Sequence, residues 1–269
     1  MSSVTGRINE ITQPQGGYIK PSQFQEISFT DNAILKDENL HHSIIGLVVD
    51  YLTRFIMGAD VEKAFEISSI GYSKRIEILT FQNPDIPCED AQKGIDVYSL
   101  FDQIKGLDDL SIISACKACT YDAWYRNPWG ALHARGAEET NPDKDTIENI
   151  KTMVYRSILF WEKYGPITTD GFDFGKNGYT ATVTTGEGDY LSSDTIWDFK
   201  VSKSKPTSKN TLQLAMYWIM GQHSGKKEFK NITKLGIFNP RLYKAFILDV
   251  STIPNEIISE IERDVICYN

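Results

Sequence analysis

The chain has 269 residues, 41 % of them hydrophobic and 24 % charged, and a formal net charge of −8. That length holds one large domain or two small ones around a sizeable core. No uninterrupted apolar run reaches the roughly 18 residues of a membrane span, and the start, MSSVTGRINEITQPQGG, lacks a basic segment followed by an apolar one, so the chain reads as soluble and cytoplasmic.

Residues 1–22 read as an irregular or extended arm, because GGYIKPS is rich in turn formers and carries little periodicity. SQFQEISF over 22–29 reads as a short helix or a strand. Over Asp37–Met57 the residues Ile44, Leu47, Val48, Tyr51, Leu52 and Phe55 recur at helical spacing. Asp37 or Asn39 can cap that helix and Gly58 can end it. Residues 60–145 are mostly helical by the same criterion, with loops over 84–90 and 126–144 where Pro, Gly and Asn collect. Tyr121, Trp124, Tyr125 and Trp129 form an aromatic group there that suits either a core or base stacking.

Asp145–Tyr164 is a second long helix, stopped by Gly165 and Pro166. Strands are expected over Ile167–Phe174, Gly178–Tyr190 and Thr195–Ser202. A basic loop, Lys203–Asn210, leads into a helix over Ser208–Met220, closed by Gly221. Two more strands, Ile232–Phe238 and Tyr243–Val250, flank the turn NPR, and Pro254–Ile266 is a last amphipathic helix. This order predicts an α/β protein: residues 1–145 form an arm and helical region packed on a core of residues 146–269.

The four cysteines are Cys88, Cys116, Cys119 and Cys267. A reducing compartment disfavours disulfides. Cys116 and Cys119 fall on one helix, where small residues usually serve packing rather than metal binding. With four histidines in all, a multi-histidine metal site is not expected. The chain also lacks the phosphate-binding loop, nucleophile-elbow, zinc-protease and dinucleotide signatures.

The stretch Gly186–Asn210, GEGDYLSSDTIWDFKVSKSKPTSKN, carries the chemistry. Asp198 and Lys200 share one face of an otherwise apolar strand, with Trp197, Phe199 and Val201 on the other. Two charges on a half-buried strand are costly unless paired or bound to something. Asp189, nine residues earlier, is a second carboxylate, and a cation between the two would remove that cost.

The pattern D-x8-D-x-K resembles the metal-binding core of the PD-(D/E)XK nuclease superfamily. GEGD, WDFK, and the pair Gln213 and Tyr217 in TLQLAMYW resemble the G-x-x-D, D-x-K and Q-x3-Y signatures of its RecB-type branch. The likeness covers roughly residues 166–250. It implies a restriction-endonuclease-like core, a central mixed β-sheet flanked by helices, with an N-terminal helical elaboration. It also implies Mg2+, for which Mn2+ substitutes, held by Asp189, Asp198 and the backbone carbonyl of Phe199. Lys200 would orient or deprotonate the attacking water, Gln213 would steady water or phosphate, and Tyr217 would support the helix or touch the nucleic-acid backbone. The branch often adds a His or Glu from a helix before the core. Glu38, His41, His42 and Asp50 are candidates, with His133, Glu148 and Glu162 as rivals. Some members hold an iron–sulfur cluster, but the order of cysteines here departs from theirs, so a cluster is not expected.

Charge is unevenly spread. Lys200 to Lys244 holds ten Lys or Arg against one acid, a net +9, which leaves −17 on the rest. That asymmetry suits solvated lysines on loops, or a phosphate-tracking groove for DNA in which Lys203, Lys205 and Lys209 bind without reading sequence. The leading expectation is a magnesium-dependent deoxyribonuclease. Alternatives are a catalytically silent nucleic-acid-binding or assembly subunit on the same fold, and a structural protein with a protein partner. A homo-oligomer is compatible with each.

Overall fold

The computed structural model describes residues 2–82 and 94–268. Cys88 and the whole of the expected loop over 84–90 lie outside them. The strands are β1 (Ser2–Ser3), β2 (Gln25–Ser28), β3 (Thr169–Phe172), β4 (Val183–Thr185), β5 (Gly188–Leu191), β6 (Thr195–Phe199), β7 (Lys234–Asn239) and β8 (Lys244–Asp249). The helices are α1 (Val4–Glu10), α2 (His42–Ile56), α3 (Val61–Ala64), α4 (Glu66–Gln82), α5 (Val97–Phe101), α6 (Asp109–Ala118), α7 (Asp122–Arg126), α8 (Pro128–Ala131), α9 (Lys144–Tyr164), α10 (Gly175–Gly178), α11 (Ser208–Ser224) and α12 (Asn255–Glu260). The chain divides into two compact units, one of residues 1–31 with 159–269 and one of residues 32–158. No helix among the described residues is long and apolar enough to cross a membrane.

The first unit is α/β. A six-stranded mixed sheet runs β2-β8-β7-β6-β5-β3, and β1 pairs separately with β4. All its pairings are antiparallel except β6 with β7. A parallel pair needs a crossover, and α11 supplies it between those two strands. Alternation along the central strand β6 sorts the core. Ile196 joins Leu191, Leu212, Met216, Tyr217 and Ile237 on the α11 face. Trp197 joins Phe160, Trp161, Tyr190 and Phe238 on the other. The C-terminal turns of α9 cover that second face, with Phe160 stacked on Phe238 at 3.8 Å between centroids. Each fully buried side chain of this size contributes roughly 1.5–3 kcal/mol, so the two aromatic-rich faces account for why such a short sheet is held firmly.

The expected irregular arm is partly helical. Ser3 caps α1, its Oγ accepting from the Gly6 N–H at 3.0 Å, and Val4 and Ile8, one turn apart, are buried against the core. Turn residues at 13–17 hid this short amphipathic stretch. The expected strand over Gly178–Tyr190 is broken into β4 and β5, with the turn α10 before it, because Tyr179 and Gly186 are tied by a hydrogen bond of 2.7 Å rather than by a ladder. Helix α11 continues through Gly221 to end at Gly225, whose φ of +70° suits a residue without Cβ. Gly221 is needed inside the helix because a Cβ there would lie 2.3 Å from the Phe229 ring. Segment 22–29 contributes the edge strand β2.

The second unit is helical. Helix α2 starts at His42, later than expected, and His41 rather than Asp37 or Asn39 caps it. Its buried face is Ile45, Val48, Val49, Tyr51 and Leu52. Asn39 instead ties the chain to α9, accepting from Thr146 and from the Asp143 N–H at 3.0 Å each. Helix α4 passes so close to the chain at Tyr121 that a Cβ on Gly71 would stand 2.0 Å from the Tyr121 carbonyl oxygen. Asp122 is buried and accepts 2.6 Å hydrogen bonds from both Tyr51 and Ser68.

Candidate active site

The register that sets Tyr190 opposite Trp197 and Leu191 opposite Ile196 sets Asp189 opposite Asp198 when continued by one residue. Directly opposed side chains lie on one face, about 5 Å apart at Cβ. The sequence therefore brings its two carboxylates together by pairing β5 with β6, not by their spacing along the chain. Like charges so placed repel, and Asp198 is 2 % exposed.

Partners offset part of this cost. Lys200 donates to Asp198 Oδ1 at 2.8 Å, and its side chain is partly exposed. The Phe199 N–H donates to Asp189 Oδ2 at 2.7 Å. Asp198 Oδ2 is buried and has no hydrogen-bond partner among the described residues. An unpartnered buried carboxylate oxygen on a face that carries a second carboxylate is unfavourable in a dry fold. A hard divalent cation with oxygen ligands fits such a donor set, so the residues present suit the metal that the D-x8-D-x-K pattern implies. Asp189, Asp198 and the Phe199 carbonyl are the groups that would hold it.

Helix α11 lies over the same face. Gln213 donates from Nε2 to the Tyr217 hydroxyl at 2.8 Å, one helical turn on. Burial first, then the negative fields of Asp198, Asp189 and, more weakly, Glu187, push the Tyr217 phenol far above its ordinary range. The structure thus gathers Asp189, Asp198, Lys200 and Tyr217, with Gln213 attached through Tyr217. Glu187 escapes sequence reading because only Gly and Asp of GEGD match a signature. Period-two alternation about Gly188 was the signal available.

The remaining candidates are placed as follows. Glu38, His41, His42, Asp50, His133 and Glu148 belong to the helical unit. There Glu38 accepts from Asn149 at 3.0 Å, and His42 packs ring against ring with His41 at 4.1 Å. Asp50 pairs with Arg54 at 3.2 Å, Glu148 pairs with Lys151 at 2.9 Å, and His133 is exposed. Glu162 is exposed on the part of α9 that covers the Trp197 face, opposite Asp198. Among the basic residues, Lys203 is exposed. Lys205 is paired with Glu26 at 2.5 Å and Lys209 donates to Asn9 at 2.7 Å. Lys244 also pairs with Glu26. Cys116 and Cys119 are buried, and burial pushes the Cys116 thiol up to about 12. Tyr121 is buried, whereas Trp129 is 72 % exposed.

Comparison of the chain with protein-family models, with curated proteins and with solved structures finds no match.

Proposed function

We propose that the protein is a PD-(D/E)XK-type nuclease of the RecB-like branch that hydrolyses DNA phosphodiester bonds with a divalent metal. The observation that carries this reading is the buried Oδ2 of Asp198, unpartnered among the described residues, on the strand face that the register assigns to Asp189 as well, with Lys200 on the other oxygen. The element order supports it. Helix α9, the strands β3, β5 and β6, helix α11 and the parallel strand β7 follow in the sequence such a core requires, with the carboxylates on its two central neighbours.

When bound, Mg2+ would supply Lewis acidity at the phosphate and a lowered pKa for the attacking water. Asp189 and Asp198 fix the position of that charge on rigid strands. Lys200, held by Asp198 and partly exposed, presents an ammonium to the substrate side. There it orients the water and stabilises the negative charge that grows in the transition state. Gln213 and Tyr217 wall the same face and exclude bulk water from Asp198. Lys203 contacts the backbone electrostatically, without sequence readout.

The test is cleavage of linear, circular and single-stranded DNA in Mg2+ or Mn2+, comparing wild type with Lys200→Ala. Metal-dependent cutting, reduced at least about 100-fold in the variant, is the expected result. Folded proteins that bind DNA and never cut it would favour a silent binding subunit.

A further inference from the structure

The aromatic group of the helical unit divides between core and surface. Tyr121 is buried, whereas Trp129 is 72 % exposed, and the proposed chemistry gives that indole no task. The local backbone holds it out on a stiff turn. Pro128 opens α8 and Asn127 caps it. The Asn127 Oδ1 accepts from the Gly130 N–H at 3.1 Å, and the Asn127 N–H donates to the Ala123 carbonyl at 2.7 Å. Gly130 leaves room for that cap, since a Cβ there would stand 2.5 Å from Asn127 Nδ2. The turn runs on past α8, with the Leu132 N–H donating to Pro128 at 3.3 Å and the His133 N–H to Gly130 at 3.2 Å. Positions three and four apart share a helical face. Trp129, Leu132 and His133 therefore form one face, and all three are exposed. Ala131, on the other side of the turn, is buried.

Charge and size say what this face takes. Residues 123–136 hold Arg126, His133 and Arg135 and no acid. The unit around them, residues 32–158, has 20 Asp and Glu against 13 Lys and Arg, a net −7. The Arg126 side chain is 56 % exposed, 3.8 Å from buried Asp122, and Lys74 Nζ lies 4.6 Å from the centre of the Tyr125 ring. Positive charge thus precedes the face, and exposed Arg135 follows it. Neither arginine is more than three residues from it. The exposed acids Glu138 and Glu139 come only after Gly136. One indole and one partly exposed leucine are few beside the roughly 20–30 residues a side of a stable protein interface. They match a single base, whose π-face stacks on tryptophan whatever the sequence, with cations for the flanking phosphates.

We propose that Trp129, with Leu132 and His133 around it and Arg126 and Arg135 at its two ends, is a stacking platform for a base of single-stranded DNA. This takes DNA as the ligand from the reading above but needs no catalysis, so it holds for a cutting enzyme and for a silent binding subunit alike. An indole already fixed by its turn loses little freedom on binding. A duplex keeps its bases stacked on one another and offers this face only phosphates.

The experiment is binding of a fluorescein-labelled single-stranded oligodeoxythymidine, and of a duplex containing it, to the full chain in EDTA, read by anisotropy. Wild type, Trp129→Ala, Trp129→Phe, Arg135→Gln and a control at another exposed aromatic, Tyr155→Ala, are compared, with circular dichroism confirming the fold. The expected result is about tenfold weaker single-strand binding in Trp129→Ala, with recovery in Trp129→Phe and little change on the duplex. Arg135→Gln should reduce the salt slope of log K by about 0.7, and Tyr155→Ala should bind as wild type does. An unchanged slope would overturn the part given to Arg135. Single-strand binding by Trp129→Ala equal to wild type, or the same loss in Tyr155→Ala or on the duplex, would overturn the platform. So would a concentration-dependent dimer in sedimentation that dissolves in Trp129→Ala while DNA affinity stays constant, which would assign the face to a second copy. No DNA binding by wild type would overturn the platform together with DNA as the ligand, whereas loss of the platform with metal-dependent cutting intact would leave the catalytic reading standing.

Discussion

Asp198 shows how much a single residue position can carry. Its partnership with Lys200 follows from strand alternation and is legible in WDFK. Its apposition to Asp189 depends on β5 pairing with β6 in one register, and its orphaned oxygen depends on what α11 leaves uncovered. Neither is written in local sequence. Glycines opposite large rings are the other residue-scale feature hidden from the sequence. Gly236 is the register partner of Trp197, and a Cβ there would lie 2.3 Å from the Trp197 ring. The indole is buried among Phe160, Trp161 and Phe238 and cannot retreat. Gly236→Ala should therefore cost about 3 kcal/mol through overpacking, measured by urea unfolding, although alanine is the better residue for the backbone.

At the scale of elements, the long helices were legible because their apolar period is strong, and boundaries moved where a cap or a close contact decided them. Helix α2 begins where His41 can accept from the Ser43 N–H, and α11 ignores Gly221 because Phe229 needs the space. The same physics makes Gly71→Ala informative. Alanine favours a helix by up to about 1 kcal/mol over glycine, but here its Cβ would strike the Tyr121 carbonyl at 2.0 Å. The steric term should win, and the thermal midpoint of the variant should fall rather than rise.

The edge strand β2 gives a pH prediction. Hydrogen bonds from Lys205 and then Lys244 hold the Glu26 carboxyl below its ordinary value of 4.5. A depressed carboxylate contributes stability that is present above its unfolded pKa and lost as pH falls through the folded one. Glu26→Gln should therefore lower the melting temperature near neutral pH, and the difference from wild type should shrink as pH drops below about 4. A difference that stays constant with pH would show that packing, not charge, accounts for it.

For the whole molecule, the sequence signals an α/β core and a helical region, and both are present. It does not signal that β2 joins the sheet beside β8, since Glu26 and Phe246 pair across most of the chain. Periodicity reports which face is buried but not which distant strand lies alongside. The basic stretch from Lys200 to Lys244 is likewise only half legible. Lys205, Lys226, Lys234 and Lys244 are paired with acids inside the fold, so fewer charges face a ligand than composition suggests. Lys203→Ala should weaken DNA binding evenly across sequences and reduce the salt slope of log K by about 1, whereas Lys234→Ala, whose charge is tied to Asp194, should change it little.

On the proposed function, Asp198 is held in a costly position for the sake of a cation. Asp198→Asn, assayed in one preparation for thermal stability without divalent ions and for DNA cleavage with Mg2+, tests that most directly. Removing one of two opposed carboxylates, the buried one, should raise stability by about 1 kcal/mol while abolishing cleavage. A variant that is markedly less stable, yet cuts DNA as wild type does, would show the Asp198–Lys200 pair to be structural and would contradict the account.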